Sequence, residues 1–239
     1  CSSDLLAHSV KIFMTKILLI EDDSGIILPL SAYIKKENYE LSTCQDGANA
    51  IEIFDDFKPN LVILDINLPH RNGIEICEEI RKKPNTPIIV LSARDSEVDK
   101  LTLFDLGVDD YVAKPFSARE LMARISAILK RSEIQKKPKN NSKTLTFWPL
   151  EICTKNHSVT CDGAEIMFTK TEFSILEYCV RNAQNVIKRE AIMHDVMGYE
   201  NYIYDRTIDT HIKNIRKKLP EKISIETIRG VGYRFEIIS

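Results

Sequence analysis

No stretch of this 239-residue sequence approaches the roughly 20 consecutive apolar residues that a membrane-spanning helix needs, and "KILLI" at 16–20 is far too short for the core of a secretory leader. The expected compartment is therefore the cytoplasm, with no membrane partner. Paired cysteines are missing too. The six (1, 44, 77, 153, 161 and 179) include no Cys-x-x-Cys and sit mostly in apolar-periodic segments, as reduced and buried thiols do. Cys153 and Cys161 are expected to face each other across a hairpin as a packing contact. Internal repeats are absent, and neither sign of charge dominates, the formal net charge being −2.

That small net charge conceals an uneven distribution. Residues 14–131 hold 15 Lys and Arg against 20 Asp and Glu, whereas residues 132–239 hold 17 against 14, so the two halves are suited to different partners. A chain of this length is comfortable as two domains of roughly 100 to 120 residues each. The boundary falls in "RSEIQKKPKNNSKT" (131–144), which is nearly devoid of apolar residues. We read 14–131 as the first domain, 132–143 as the linker and 144–239 as the second domain. Residues 1–13 precede a Met-Thr-Lys and are read as an extension outside the fold.

In the first domain, short apolar runs alternate with amphipathic stretches. "KILLI" (16–20), "YELSTC" (39–44), "NLVIL" (60–64), "PIIVLS" (87–92) and "DYVA" (110–113) read as strands, with helices near 24–36, 47–57, 73–83, 96–106 and 117–130. Five βα units predict a doubly wound, five-stranded parallel α/β sheet with right-handed crossovers. In a flavodoxin-like order 2-1-3-4-5, ligands gather at the carboxyl ends of the strands, where the order reverses. The residues there are Glu21-Asp22-Asp23 after strand one, Asp65 after strand three, Ser92-Ala93 after strand four and Lys114-Pro115-Phe116 after strand five.

Strands one and three are neighbours in this order, so Glu21 and Asp22 come beside Asp65. A buried carboxylate is costly without a counter-charge. Three in one crevice call for a divalent cation with oxygen ligands, Mg²⁺, and Lys114 adds a fixed positive charge. Asp65 is then placed to act as a nucleophile toward a phosphoryl group. An Asp pair after a strand is ordinarily a favourable helix start, and Lys-Pro is ordinarily a turn; their coincidence at the strand ends is what carries the reading. A phosphatase built on this crevice would need a second acid or base, and the histidines (8, 70, 157, 194 and 211) are expected outside it or at its rim.

The segments "LLIEDD", "LVILDINLP", "VLSAR" and "DDYVAKPF" resemble the receiver domain of two-component response regulators. The resemblance implies that a sensor histidine kinase phosphorylates Asp65. It also implies that Asp22 and Asp65 bind Mg²⁺ with the backbone carbonyl of Asn67, Glu21 being the outer acidic partner. Lys114, in a cis Lys-Pro peptide, would pair with the phosphoryl oxygens. Ser92, where many relatives carry Thr, would donate its hydroxyl, and Tyr111 would turn inward as it does. Such a domain catalyses its own phosphorylation and is a switch, not a turnover enzyme. Pro29 removes a backbone bond inside the first helix, on the face that normally receives the kinase, so that helix is expected to kink or begin late.

The second domain reads as α+β. "TLTFWPLEIC", "SVTC" and "EIMF" predict an antiparallel sheet. "FTKTEFSILEYCVRN" follows, with Thr169 and Glu172 at capping-box spacing. A second helix is expected over "KREAIMHDVM" and a third over 205–219, where Ile208, Ile212, Ile215 and Leu219 share the inward face. "SIETIRGVGYRFEI" predicts a terminal hairpin. A helix with a basic outer face followed by a basic hairpin suits a major groove and the adjacent phosphates.

"FTKTEFSILEYC", "DRTIDTHIKNIRKKL" and "IRGVGYRF" resemble the winged-helix output domain of the OmpR/PhoB subfamily. By that resemblance Arg206, Thr210, His211, Lys213, Asn214 and Arg216 lie on or beside the DNA-facing side of the recognition helix, and Thr227 and Arg229 are wing contacts. Asn214 stands where relatives are often basic, and an Asn can read adenine. The loop at 198–205 matches the segment that contacts RNA polymerase in some relatives, although it has three tyrosines and no basic residue. The subfamily's dimer face maps to Lys100 with Glu120, Asp110 with Arg124, and Asp105 or Asp109 with Arg131. The expected function is a phosphorylation-controlled transcription regulator that dimerises and binds tandem half-sites on double-stranded DNA.

Overall fold

The computed structural model describes residues 14–83, 86–93, 106–136, 144–198 and 207–238. The helix expected over 96–106 lies outside the described residues except for its last position, as do Lys100, Asp105, Arg206 and all of the 198–205 loop but Gly198.

The first domain runs β1 (Lys16–Ile20), α1 (Ser24–Lys36), β2 (Glu40–Cys44), α2 (Ala50–Phe57), β3 (Leu61–Asp65), α3 (Gly73–Arg81), β4 (Ile88–Ala93), β5 (Asp110–Lys114) and α4 (Ala118–Lys136). The sheet is parallel in the order β2-β1-β3-β4-β5. Alternation along the strands divides its core between two faces. Leu18, Ile20, Val62, Leu64, Ile88 and Val90 pack on Phe54, Ile76, Cys77 and Ile80 of α2 and α3. Ile17, Leu19, Leu61, Ile63, Ile89 and Leu91 pack on Ile27, Leu30 and Ile34 of α1 and Leu121, Ile125 and Ile128 of α4. Burial on both faces explains why these strands read as unbroken apolar runs.

Two expectations change here. α1 does not start late, and it runs on through Pro29 to Lys36. It begins at Ser24, with the Asp23 side chain accepting from Gly25 N–H at 2.7 Å. Pro29 therefore forgoes only a bond to the Gly25 carbonyl in the first turn. α4 runs five residues past the expected domain end at 131, because "SEIQK" holds neither Gly nor Pro and consists mostly of good helix formers.

The second domain opens with the antiparallel meander β6 (Thr144–Phe147), β7 (Leu150–Cys153), β8 (Ser158–Cys161) and β9 (Ala164–Ile166). The stretch expected as one strand, 144–153, is two, since Pro149 has no N–H for a ladder and sits in the turn after Trp148. Cys153 pairs with Ser158 and Cys161 with Leu150, so the two thiols do not face each other. The described cysteines are all free, and burial pushes Cys77 up to about 11 and Cys179 to about 12, as in unreactive core thiols.

α5 (Lys170–Arg181) starts on the predicted capping box, Thr169 and Glu172 each bonding the other's backbone N–H. β10 (Val186–Lys188), not foreseen, joins β12 (Gly232–Ile237) and β11 (Ile223–Ile228) in the order β10-β12-β11. The expected second helix is only α6 (Arg189–Ala191) running into a π-helical turn at Ile192–Val196, closed by Met197 N–H on the Ile192 carbonyl. α7 (Thr207–Lys218) buries Ile208, Ile212 and Ile215 against Phe173, Leu176, Ile225 and Phe235, with Leu219 packed at the margin.

Phe235 is fully buried at the centre of this second core. Phe235→Ala should lower the domain's stability by about 3–5 kcal/mol in urea, read by the fluorescence of the single tryptophan, Trp148. Leu28→Ala on the exposed face of α1 (71% exposed) should move it by less than about 0.5 kcal/mol.

Candidate functional site

At the carboxyl edge of the parallel sheet, β1 runs into Glu21 and Asp22, β3 ends in Asp65, and β5 ends in Lys114. The Lys114 ammonium lies 2.8 Å from Asp65 Oδ2 and 2.8 Å from Glu21 Oε2. Glu21 and Asp65 are buried and Asp22 is exposed, and one oxygen from each falls within 4.8 Å of the others. Among the described residues no other group of His, Cys, Asp and Glu is arranged to hold a metal ion. An all-carboxylate donor set with one open side fits a hard divalent cation.

Neighbouring backbone fixes this geometry. Asn67, expected to offer its carbonyl, donates its N–H to Asp65 Oδ1 at 3.3 Å. Gly73 opens α3 directly behind Asp65, where a Cβ would come within 2.2 Å of the Asp65 carbonyl. Ser92, buried, follows Leu91, the register partner of Asp65. Tyr111, paired with Val90, already packs inward with the core on that face and is 8% exposed. The Lys114–Pro115 peptide is cis. Asp22 and Asn67 line an open cleft of about 630 Å³ whose rim carries His70, Arg71 and Asn72. His70 pairs with Asp46 at 3.0 Å, a contact across 24 residues that no local pattern signals.

Burial, with the Asp65 charge adding to it, raises the Glu21 carboxyl above its ordinary value of 4.5, and the bond from Lys114 only partly opposes this. Burial pulls Lys114 down, but its bonds to Asp65 and Glu21 outweigh that and leave it above an ordinary lysine. The arrangement thus holds negative charge in excess, countered by a single lysine.

On the second domain, α7 exposes Lys213 and Arg216, with Thr210 half-buried, and the hairpin exposes Thr227 and Arg229. Arg216 donates to the Ile225 carbonyl and to Thr227 Oγ1 (2.7 Å), tying helix to wing. His211 and Asn214, expected on or beside the DNA-facing side, are buried in this structure. They are 1% and 4% exposed, and His211 packs against the first domain, with Nε2 3.3 Å from the Asp109 carbonyl. Burial there holds the imidazole below its ordinary range.

Several of the expected dimer residues make contacts within the chain. Asp110 and Arg124 form a buried pair within the chain, at 3.1 Å, which also engages Glu120 at 3.0 Å. Asp109 is fully buried and held by Arg81 at 2.8 Å. Arg131 is half-buried and donates to Thr171 at 3.1 Å. Arg81 and Thr171 escaped the sequence reading because their partners lie 28 and 62 residues away.

This geometry is that of a known class. Residues 17–126 match the response regulator receiver domain, and residues 163–235 match the C-terminal domain of transcriptional regulatory proteins. The chain belongs to the response regulators of the OmpR/PhoB family, and it is a phosphorylation-controlled, DNA-binding regulator of transcription. It is 36% identical to the sensory transduction protein RegX3 of Mycolicibacterium smegmatis, over 93% of this chain and all of that one. It is 38% identical to the transcriptional regulatory protein ResD of Bacillus subtilis, over 93% and 96%. Among solved structures, a RitR mutant superposes with a TM-score of 0.74 at 26% identity over 93% of this chain and 99% of that one. Over nearly the whole chain, a score of that size requires both domains to superpose together. DrrB, a Thermotoga maritima OmpR/PhoB homologue, scores 0.50 at 32% identity over the same shares.

Lys114→Met would leave Glu21 and Asp65 buried face to face. The expected loss at neutral pH is about 3–5 kcal/mol. A carboxyl raised in the folded state contributes its stability below its unfolded value and loses it as pH rises through its folded value. The deficit should therefore shrink as pH is lowered toward the ordinary Glu value of 4.5, as a urea titration at several pH values would show.

Proposed function

We propose that a sensor histidine kinase transfers a phosphoryl group to Asp65, and that this controls assembly of the chain on DNA. An Asp65 oxygen attacks phosphorus, the P–N bond of the kinase phosphohistidine breaks, and its electron pair stays with the imidazole. The observation that carries this reading is Lys114, whose ammonium lies 2.8 Å from Asp65 in a cluster with Glu21 and Asp22. A lysine so placed neutralises oxygen charge on the transferring group without moving. Asp22, Asp65 and the Asn67 carbonyl would hold Mg²⁺, with Glu21 behind them. When bound, the ion supplies charge neutralisation and holds the phosphoryl oxygens in line.

Ser92 then donates its hydroxyl to the acyl phosphate, and Tyr111, beside it on β5, stays packed inward. That state favours a symmetric dimer through β5, α4 and the 96–106 segment, in which Lys100, Asp105, Glu120 and Arg131 set the register. Exposed ion pairs of this kind contribute only about 0–1 kcal/mol each. Two output domains would thereby reach half-sites roughly one helical turn apart. Arg206, Thr210, Lys213 and Arg216 approach the major groove and Thr227 and Arg229 the phosphates beside it, while residues 198–205 face RNA polymerase. The protein would act in the cytoplasm as a switch, its only chemistry being its own phosphorylation.

Sedimentation with Mg²⁺, with and without beryllofluoride, tests the reading. The wild type should change from monomer to dimer at micromolar concentration, and Asp65→Asn should not respond. Equal behaviour of the two proteins would remove Asp65 from the mechanism.

A further inference from the structure

The loop from Ile66 to Asn72, which joins β3 to α3 and walls the open cleft beside Asp22, is held by side chains that the phosphoryl chemistry does not use. His70 stands in it at φ 64°, in the left-handed region that a histidine seldom adopts unless something holds it there. What holds it is Asp46, in the turn after β2. The Ala48 N–H and then His70 keep the Asp46 carboxyl below its ordinary range, so it is an acceptor, and His70 Nδ1 is the donor at 3.0 Å. The next residue is tethered the other way. The Arg71 guanidinium pairs with Glu79 of α3 and lies 3.8 Å from Glu75.

The backbone repeats this pattern. The Pro69 carbonyl accepts from Gly47 N–H at 3.2 Å and from Arg71 N–H at 2.8 Å. Gly47 passes so close to the loop that a Cβ there would lie 2.3 Å from the Arg71 carbonyl oxygen. The turn that carries Asp46 and Gly47 is itself anchored at the acidic end of β1. The Cys44 carbonyl accepts from Glu21 N–H at 3.0 Å, and the Cys44 thiol donates to the Asp46 carbonyl at 3.0 Å. The contacts thus close a ring that runs from Glu21 to Cys44, through the turn to Asp46, across to His70, and back along the loop through Asn67 to Asp65.

We infer that His70 is a positioning residue for the cation at Asp65: its bond to Asp46 braces the wall of the cleft, so that the Asn67 carbonyl is presented to the ion without rearrangement of the loop. The brace stands on the contacts themselves; its effect on the ion rests on the reading of Asp22, Asp65 and Asn67 as the groups that hold Mg²⁺. The side chains of His70 and Asp46 are 70% and 36% exposed, so their pairing contributes little to the stability of the fold. It can shift ion binding by no more than that contribution, about three- to fivefold in affinity. A changed Mg²⁺ affinity without a changed fold is therefore the signature of the brace.

Mg²⁺ titrations of the full-length protein, followed by the amide chemical shifts around Asp65, test this. His70→Gly suits the left-handed backbone and removes the donor. Asp46→Asn keeps an oxygen to accept from Ala48 N–H and takes away the charged acceptor. Each should weaken Mg²⁺ binding about three- to fivefold, and the double variant no further than either single, because both act through one bond. Unfolding in urea should move little in all three. His70→Gly should also speed amide exchange at Gly47, whose N–H rests on the Pro69 carbonyl. His70→Lys can pair with Asp46 again, in a left-handed conformation that Lys58 already adopts at φ 51°. It should restore most of the affinity, whereas its added positive charge acting alone would weaken Mg²⁺ binding further.

A folded His70→Gly protein with wild-type Mg²⁺ affinity, losses that add in the double variant, or a lysine that binds Mg²⁺ more weakly than the glycine would overturn the brace and leave the Asp65 reading standing. A Mg²⁺ affinity indifferent to Asp65→Asn would overturn both, since the ion would then be held elsewhere.

Discussion

Everything in the first domain is arranged around one unfavourable fact: two carboxylates, on Glu21 and Asp65, are buried side by side at the end of a sheet, with a third on Asp22 close by. Parallel strands end in register, so residues that follow neighbouring strands are forced together whatever their charge. The protein offsets the repulsion with a single lysine from the far strand and leaves the remaining negative charge open toward the cleft. The two apolar faces of the sheet, each sealed by helices, keep that charge from escaping by rearrangement. A site kept under-neutralised in this way favours further positive charge and tolerates a phosphoryl group only in company with it.

The receiver was largely legible in the sequence because its signals are local. β1, β3 and β4 carry continuous apolar runs, the polar residues that matter lie at the ends of β1, β3, β4 and β5, and the alternation of strands and helices points to a parallel sheet. Glu21, Asp22, Asp65 and Lys114 come together in the structure for that reason. The output domain was legible where capping and helical periodicity were strong, as at Thr169 and Glu172 and along the isoleucines of α7. It was misread where geometry departs from the regular elements: the chain reverses at Pro149, and the π-helical turn interrupts a helix whose apolar spacing looked ordinary.

The contacts between domains were illegible for a different reason. His211 and Asn214 look like surface residues on a helical wheel, yet both are buried in the chain. Asp109 and Asp110 look alike in sequence, yet one bonds Arg81 and Thr171 and the other Arg124. Nothing within a window of a few turns distinguishes them, because Arg81, Arg124 and Thr171 each come from elsewhere in the chain. Resemblance to relatives shares this blindness, since it transfers residue roles and not the contacts between domains.

The double duty of Asp109 also bears on how such proteins diversify. Receivers and output domains of this architecture look interchangeable in sequence, joined by a polar stretch with almost no apolar residues. Yet a carboxylate held from one side by Arg81 and from the other by Thr171 belongs to both domains at once. A receiver transplanted onto a different output domain would bring a buried acid without its hydroxyl. A working exchange must therefore carry the first turn of α5 along with the receiver, which makes the unit of inheritance larger than either domain.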